Sequence, residues 1–380
     1  MENAASMRVV DVRCYVVPAE WKELVFVLVE CDDGSIGVGE GTITNCAAPV
    51  ASAIGDMAAY LVGKDPGEIE RHWSTLYRMF HWRGGAIQMS ALAAIDQALW
   101  DIAGQAVGLP LYRLLGGACH DRVKVYLNQW FRGARSVADL TEKAQAAVAT
   151  GIRGLKWYPF RFVPLSRQAY RFSKAEFDGA VGEVAAVRAA VGPEVELMVD
   201  LSGVADAHTI VQFCEAIAGC DLLFVEEVAP PENPALLKTL SAKVSARLAA
   251  GERRYSRWDF KDLIETQAVG LVQPGVCRAG GITEMRKIAA MAEIYNIGVA
   301  PYNPVGPVGT AATVHVSASL PNFVIMETYD DDSPPIRREI MDVTLSIDGD
   351  GFALPTSPGL GVRMNETVLR RRASVATSHR

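Results

Sequence analysis

The chain has 380 residues, half of them hydrophobic, with a formal charge of −7 and a pI near 5.5. That length supports one large barrel with a smaller domain or roughly two to three average domains, and the acidic balance leaves no nucleic-acid footprint beyond the short run Arg370, Arg371, Arg372. Seven cysteines without a CxxC pair argue against a disulfide framework or a zinc site, and the lack of a signal-like N-terminus or of an apolar run of about 18 residues predicts a cytoplasmic protein with no membrane partner.

Two alternating runs open the chain, VRCYVVP and LVFVLVEC, joined by a polar loop around Glu20; Asp32, Asp33 and Gly34 then turn the chain into IGVGE. Helical stretches follow, the clearest being SALAAIDQALWDIAGQAVG. From Val123 onward, short β-branched or apolar runs alternate with amphipathic stretches: VKVYLN from 123, IRGLKW from 152, VELMVD from 195, LLFVE from 222, RLAAGE from 247, VGLVQ from 269, IGVAP from 297 and FVIME from 323. Most starts lie 22 to 29 residues apart, the length of one βα unit, and eight such runs fit a barrel. The step from 152 to 195 is longer because it carries WYPFRFVPLSRQAYRFS, an insertion that follows a strand and so falls on the face where barrels build their sites. Helix starts are signalled by Ser136 with Asp139, by Ser256, by Thr283 after Gly280 and Gly281, and near Lys174. The predicted class is α/β. An α+β capping domain covers residues 1–122, a modified (β/α)-barrel of the TIM type covers 123–340, and a tail over 341–380 returns to the capping domain.

Asp200, Glu226 and Glu252 end three consecutive predicted strands, 26 residues apart each time. In a barrel those strand ends converge on one mouth. Singly, each acid could cap a helix or pair with an arginine. Three together repel one another unless a hard, oxygen-preferring cation neutralises them, so one Mg²⁺ per chain is expected on these three side chains. Arg83, Asn128, Trp130 and Arg161 are candidate substrate contacts, since a small-molecule pocket needs a few placed polar groups.

Arg83 to Gly117, with DDGSIGVGE near the start, FVEE, the GE of strand five, Gly-Gly-Ile-Thr after strand six, PVGPV after strand seven and LPTSPGLGV near the end, resembles the mandelate racemase and muconate lactonizing enzyme family of the enolase superfamily. The likeness spans roughly residues 8 to 365 and is strongest to acid-sugar dehydratases such as galactonate dehydratase. It implies abstraction of an α-proton from a carboxylate substrate through a metal-stabilised enediolate, dehydration of an acid sugar to a 2-keto-3-deoxy acid, and assembly as a homo-oligomer. By resemblance Lys156 faces the substrate carboxylate, and Glu327, closing strand eight, hydrogen-bonds the same group.

The likeness breaks at the bases. Tyr158 stands where the family's second strand-two lysine belongs, Tyr302 where its strand-seven histidine belongs, and Gly275 where the supporting aspartate belongs. None of the six histidines ends a predicted barrel strand, and His208 and His315 read as helix residues. Two tyrosines are left at the reacting faces: Tyr158 is the candidate base for the α-proton and Tyr302 the candidate acid for the β-hydroxyl. A racemase or epimerase of the same family, or a member that binds metal and acid sugar without turning it over, are the alternatives. Specificity is expected in the loop around Glu20 and in the insertion after strand two.

Overall fold

The computed structural model describes residues 7–19, 21–164, 169–329 and 335–380. Glu20 and residues 165–168 of the insertion, both in segments expected to set specificity, lie outside the described residues.

β1 (Val9–Pro18), β2 (Glu23–Cys31) and β3 (Ile36–Glu40) form an antiparallel meander, and β16 (Val375–His379), from the end of the chain, adds beside β1. This sheet is covered on both faces. Val12, Cys14 and Val16 pack into a core shared with α1 (Ala47–Leu61), α2 (Ile69–Met79) and α3 (Gly85–Ala106), whereas Tyr15, Val17, Phe26 and Leu28 join the core that continues into the barrel. α3 is apolar on nearly every side and is buried accordingly. Alternating glycines in and just after β3 let it approach so closely: a Cβ on Gly37, Gly39 or Gly41 would lie 2.1, 1.9 or 2.6 Å from the carbonyl oxygens of Ala98, Ala94 and Ser90, one helical turn apart.

After the short α4 (Leu111–Leu114), parallel strands alternate with helices: β4 (Arg122–Asn128), α5 (Val137–Ala149), β5 (Gly154–Trp157), α6 (Lys174–Val191), β6 (Glu196–Asp200), α7 (Ala207–Ala216), β7 (Phe224–Glu226), α8 (Pro234–Ser241), β8 (Leu248–Ala250), α9 (Arg257–Glu265), β9 (Leu271–Val272), α10 (Gly281–Ile294), β10 (Gly298–Val299), α11 (Pro307–Ser319) and β11 (Met326–Tyr329). Each strand pairs with the next from β4 to β10, β11 pairs with β4, and a bridge between Val299 and Phe323 closes the ring. This is the expected (β/α)-barrel, modified in that, among the described residues, the helix after the eighth strand is the five-residue α12 (Pro335–Glu339). The tail continues as β12 (Met341–Val343), β13 (Ile347–Asp348), β14 (Gly351–Ala353), β15 (Arg363–Met364) and α13 (Glu366–Arg372) before β16. It does more than return to the capping sheet, because β14 runs antiparallel along β4 of the barrel.

Three local expectations need correction. Glu252 does not end its strand: β8 stops at Ala250, and Gly251, at φ +133°, turns the chain before the acid. Glu327 is the second residue of β11 and not its last, because the segment from Phe323 is held to β10 by a single bridge until Met326 meets β4. Thr283 lies inside α10, whose N-cap is Gly280. Ser136, Ser173 and Ser256 do cap α5, α6 and α9 through their hydroxyls. No described helix is long and apolar enough to cross a membrane.

Inside the ring, Tyr126, Met198, Phe224, Ala249, Leu271, Ala300 and Ile325 form an apolar layer. Side chains two residues further along each strand point the same way, which puts Asn128, Asp200, Glu226, Gln273, Tyr302 and Glu327 in the next layer up, at the C-terminal mouth.

Candidate active site

Asp200 and Glu226 are register partners at the ends of β6 and β7, and Glu252 joins them from the turn after β8; ligand oxygens of all three lie within 4.8 Å of one another. Asp200 and Glu226 are buried and Glu252 is 19% exposed at its side chain. The turn that brings Glu252 in is fixed by Glu227, the second acid of FVEE. Glu227 sits in the left-handed region at φ +47°, accepts from Gly251 N at 3.0 Å and is gripped by Arg253. The paired acids of that motif thus divide the work: one faces the mouth and the other shapes the next strand's exit.

Crowding of like charges in a buried place shows in the acids themselves. Burial first, then neighbouring carboxylates, push Asp200 up to about 6 and Glu252 up to about 8, and move Glu226 well above the usual carboxylate range. A cluster of oxygen donors that resists ionisation in this way fits a hard divalent cation, which stabilises all three in their charged form.

Lys156, in β5, is fully buried, with Nζ 2.8 and 2.6 Å from the two oxygens of Glu226 and 3.1 Å from Glu327 Oε1. Burial alone would discharge it, but Glu226 and Glu327 reverse the effect and hold it as an ammonium. Glu327 also accepts from Asn128 Nδ2 at 2.6 Å and from Asn303 N at 3.2 Å. Asn128 Nδ2 further donates to Tyr158 Oη at 3.0 Å. Lys156, Glu327, Asn128 and Tyr158 therefore form one hydrogen-bonded wall beside the carboxylates. Burial, then Asp200, push the Tyr158 phenol well above its ordinary range, while Lys156 pulls it back.

Tyr302 stands on another wall. Arg278 Nη2 donates to its hydroxyl at 2.8 Å, and the guanidinium lies 4.2 Å from the ring centre. Burial raises this phenol as well, and Arg278 opposes the shift.

The other expected contacts divide. Asn128 is in the site. Trp130 is buried against Trp157 and Phe131 and gives its indole N–H to the Lys156 carbonyl at 2.9 Å, so it braces β5 and has no polar atom to offer a ligand. Arg161 follows β5, but its guanidinium binds Glu183 of α6 through two hydrogen bonds of 2.5 and 2.6 Å. Arg83 lies exposed between α2 and α3, where its charge is felt by Tyr77. His208 and His315 are in α7 and α11, away from strand ends. Arg278 and Gln273 are site residues that the sequence reading passed over. Gln273 lies in an apolar strand run and Arg278 in the turn after it, and neither position carries a periodic signal that marks it as facing the mouth.

The comparisons with known proteins agree on one family. A family profile described as the N-terminal domain of mandelate racemase and muconate lactonizing enzyme matches residues 8–116, and one described as enolase C-terminal domain-like matches residues 139–368. D-galactonate dehydratase of Xanthomonas axonopodis pv. citri is 38% identical over 371 residues, covering 96% of this chain and 94% of that protein. D-galactonate dehydratase of Variovorax paradoxus is 39% identical over 366 residues, covering 95% and 93%. Among solved structures, a member of the enolase superfamily from Salmonella Typhimurium superposes with a TM-score of 0.92 at 28% identity, covering 98% of this chain and 100% of that one. An enolase from Agrobacterium radiobacter, solved with Na and L-malate bound, superposes with a TM-score of 0.88 at 28% identity, covering 98% and 97%.

Proposed function

The chain belongs to the mandelate racemase and muconate lactonizing enzyme family of the enolase superfamily, and from that premise we propose that it is a Mg²⁺-dependent lyase that dehydrates an acid sugar. The observation that carries this reading is the convergence of Asp200, Glu226 and Glu252 within 4.8 Å at the barrel mouth, beside a buried ammonium. The dehydratase names of relatives that match nearly the whole chain support the reaction type, and the L-malate held by a structural neighbour supports a hydroxy-acid substrate.

A divalent cation held by the three carboxylates supplies positive charge where a substrate carboxylate gains negative charge as its α-proton leaves. Lys156 adds a fixed charge in the same dry site, where it acts more strongly than in water. Glu327 and Asn128 orient that ammonium and the Tyr158 hydroxyl. Tyr158 takes the α-proton as its phenolate, the form that the Lys156 ammonium favours against burial. Tyr302 gives a proton to the β-hydroxyl, whose bond to carbon breaks as the enediolate electron pair moves to form the double bond. Water leaves, and the enol becomes the 2-keto-3-deoxy acid.

The test is incubation with Mg²⁺ and a panel of aldonic and aldaric acids in D₂O, following keto-acid formation and α-deuterium uptake. At least one acid is expected to give both, and Tyr158→Phe to lose α-exchange. An α-epimer without keto acid would make the enzyme an epimerase. Cation-dependent thermal stabilisation by acids with no exchange from any of them would make it a binding protein.

A further inference from the structure

Where the resemblance led to a histidine and aspartate pair at the ends of strands six and seven, the chain has built something else from three positions. Gly275 follows β9, Arg278 lies in the turn leading to α10, and Tyr302 follows β10. The three fit together. Arg278, only 9% exposed, holds its guanidinium 4.2 Å from the centre of the Tyr302 ring and donates to its hydroxyl. A Cβ on Gly275 would stand 3.2 Å from Tyr302 Cδ1 and 3.9 Å from Arg278 Cβ, so a larger side chain there would crowd the stack. The glycine that stands where the resemblance led to an aspartate is the one that makes room for the tyrosine ring.

We propose that Arg278 is a positioning residue that makes Tyr302 a proton donor. A guanidinium has donors and no acceptor. Once it fills a lone pair of the phenol oxygen, the phenol proton cannot turn toward it and is aimed elsewhere. When the proton passes to the leaving hydroxyl and the carbon–oxygen bond breaks, the phenolate that remains already holds a charge-assisted hydrogen bond at 2.8 Å. The pair does for acid catalysis what an imidazolium does, with the positive charge kept on a group that does not give up its own proton. This inference rests on the dehydratase reading and assigns Arg278 to its second step alone.

The test separates the two steps in Arg278→Met, in Arg278→Lys and in the unchanged enzyme. General acid catalysis contributes about 10² to 10⁴ in rate, so Arg278→Met is expected to lower keto-acid formation about a hundredfold or more while α-deuterium exchange stays within about threefold. A 3-deoxy-3-fluoro analogue releases fluoride, which needs no proton, so its elimination is expected to be nearly unaffected. Arg278→Lys, which keeps the charge and guards against a folding defect, is expected to recover part of the loss. Equal loss on hydroxyl and fluoro substrates, or of exchange together with elimination, overturns the assignment. If the unchanged enzyme makes no keto acid, the dehydratase reading fails on its own. The pairing is then judged by alkaline titration of a trifluorotyrosine placed at 302. Arg278→Met is expected to raise its midpoint by about one unit or more, and an unchanged midpoint overturns the pairing.

Discussion

At the seam between the capping sheet and the barrel, Glu40, Asp96 and Asp101 are as buried as Asp200 and Glu226 are at the barrel mouth. Their partners differ. Glu40 accepts from the backbone N–H groups of Gly306 and Gly309 at the start of α11, Asp96 from Thr283 N at 3.0 Å, and Asp101 from Val38 N at 3.0 Å and Leu360 N at 2.7 Å. Burial raises Asp96 to about 7 and Asp101 to about 6, and these hydrogen bonds pull both back down. At the mouth Asp200 accepts from its near neighbour Ser202 N at 2.6 Å and Arg253 lies 3.9 Å from Glu252, but the carboxylates otherwise have one another and the Lys156 ammonium. Depth of burial therefore does not distinguish a structural acid from a reactive one here. Neutral backbone donors from another element make an acid a rivet between domains, and like-charged neighbours mark the cluster at the mouth as a candidate cation site.

The sharpest way to break this distinction is to remove one acid from each region. Glu226→Gln takes a charge from the cluster and a partner from Lys156, and is expected to abolish Mg²⁺ binding by calorimetry and to lower keto-acid formation about a thousandfold or more. Asp101→Asn is expected to leave both within about threefold in folded protein. Retention of Mg²⁺ affinity in the first variant, or its loss in the second, would dissolve the contrast.

The seam should fail in stability where the mouth fails in activity. Gly281 has φ +86°, and a Cβ there would lie 2.3 Å from Asp96 Oδ2, so Gly281→Ala combines backbone strain with displacement of a buried carboxylate. It is expected to lower unfolding free energy by about 3 kcal/mol in urea titrations, with Mg²⁺ affinity per folded molecule unchanged. A loss under about 1 kcal/mol would mean the seam relaxes more easily than its close contacts imply.

Cation binding gives a smaller effect with a definite sign. Asp200 and Glu252 are raised above their unfolded values, so the ion-free protein loses stability as pH rises from about 4 to about 8, where folding opposes their ionisation. Mg²⁺ at about 100 times its Kd should add roughly 2 to 3 kcal/mol at pH 8, and clearly less at pH 5, where it must displace protons. Equal stabilisation at both pH values would place the cation on other ligands.

How much of this contrast was legible beforehand follows from its chemistry. The barrel strands read clearly because their interior and exterior faces are both covered, and a spacing of 26 residues placed Asp200, Glu226 and Glu252 at one mouth. The seam was illegible: Asp96 and Asp101 sit in a helix pattern whose backbone partners, Thr283 and Leu360, are 187 and 259 residues away, and backbone N–H groups carry no sequence signal. The pairing of Arg278 with Tyr302 was hidden for a related reason. The tyrosine was found by its place at a strand end, but the direction of its proton depends on an arginine in a turn that periodicity does not place. For Arg161 and Trp130, a location near a strand end does not fix where a long side chain goes. One turned to Glu183 and the other to the Lys156 carbonyl.

The smallest expected effect tests the seam by titration. His315 is fully buried in α11, its Nδ1 accepts from Tyr112 N at 3.1 Å, and its ring stacks on Tyr112 with centroids 5.9 Å apart. Burial lowers its pKa to about 4, and a proton on Nδ1 would break the bond to Tyr112. The folded state therefore binds this proton less readily than the unfolded chain, whose histidine titrates near 6.5. Stability is full above pH 6.5 and is lost as pH falls toward 4, by about 1 kcal/mol at pH 5.5. In His315→Asn, an amide oxygen near the Nδ1 position can accept the same N–H and has no charge to gain. That variant should lose some packing at pH 7.5 but show a flatter decline between pH 7 and 5 in urea unfolding. If its slope matches that of the unchanged protein, the acid limb belongs elsewhere, and the seam is held by carboxylates alone.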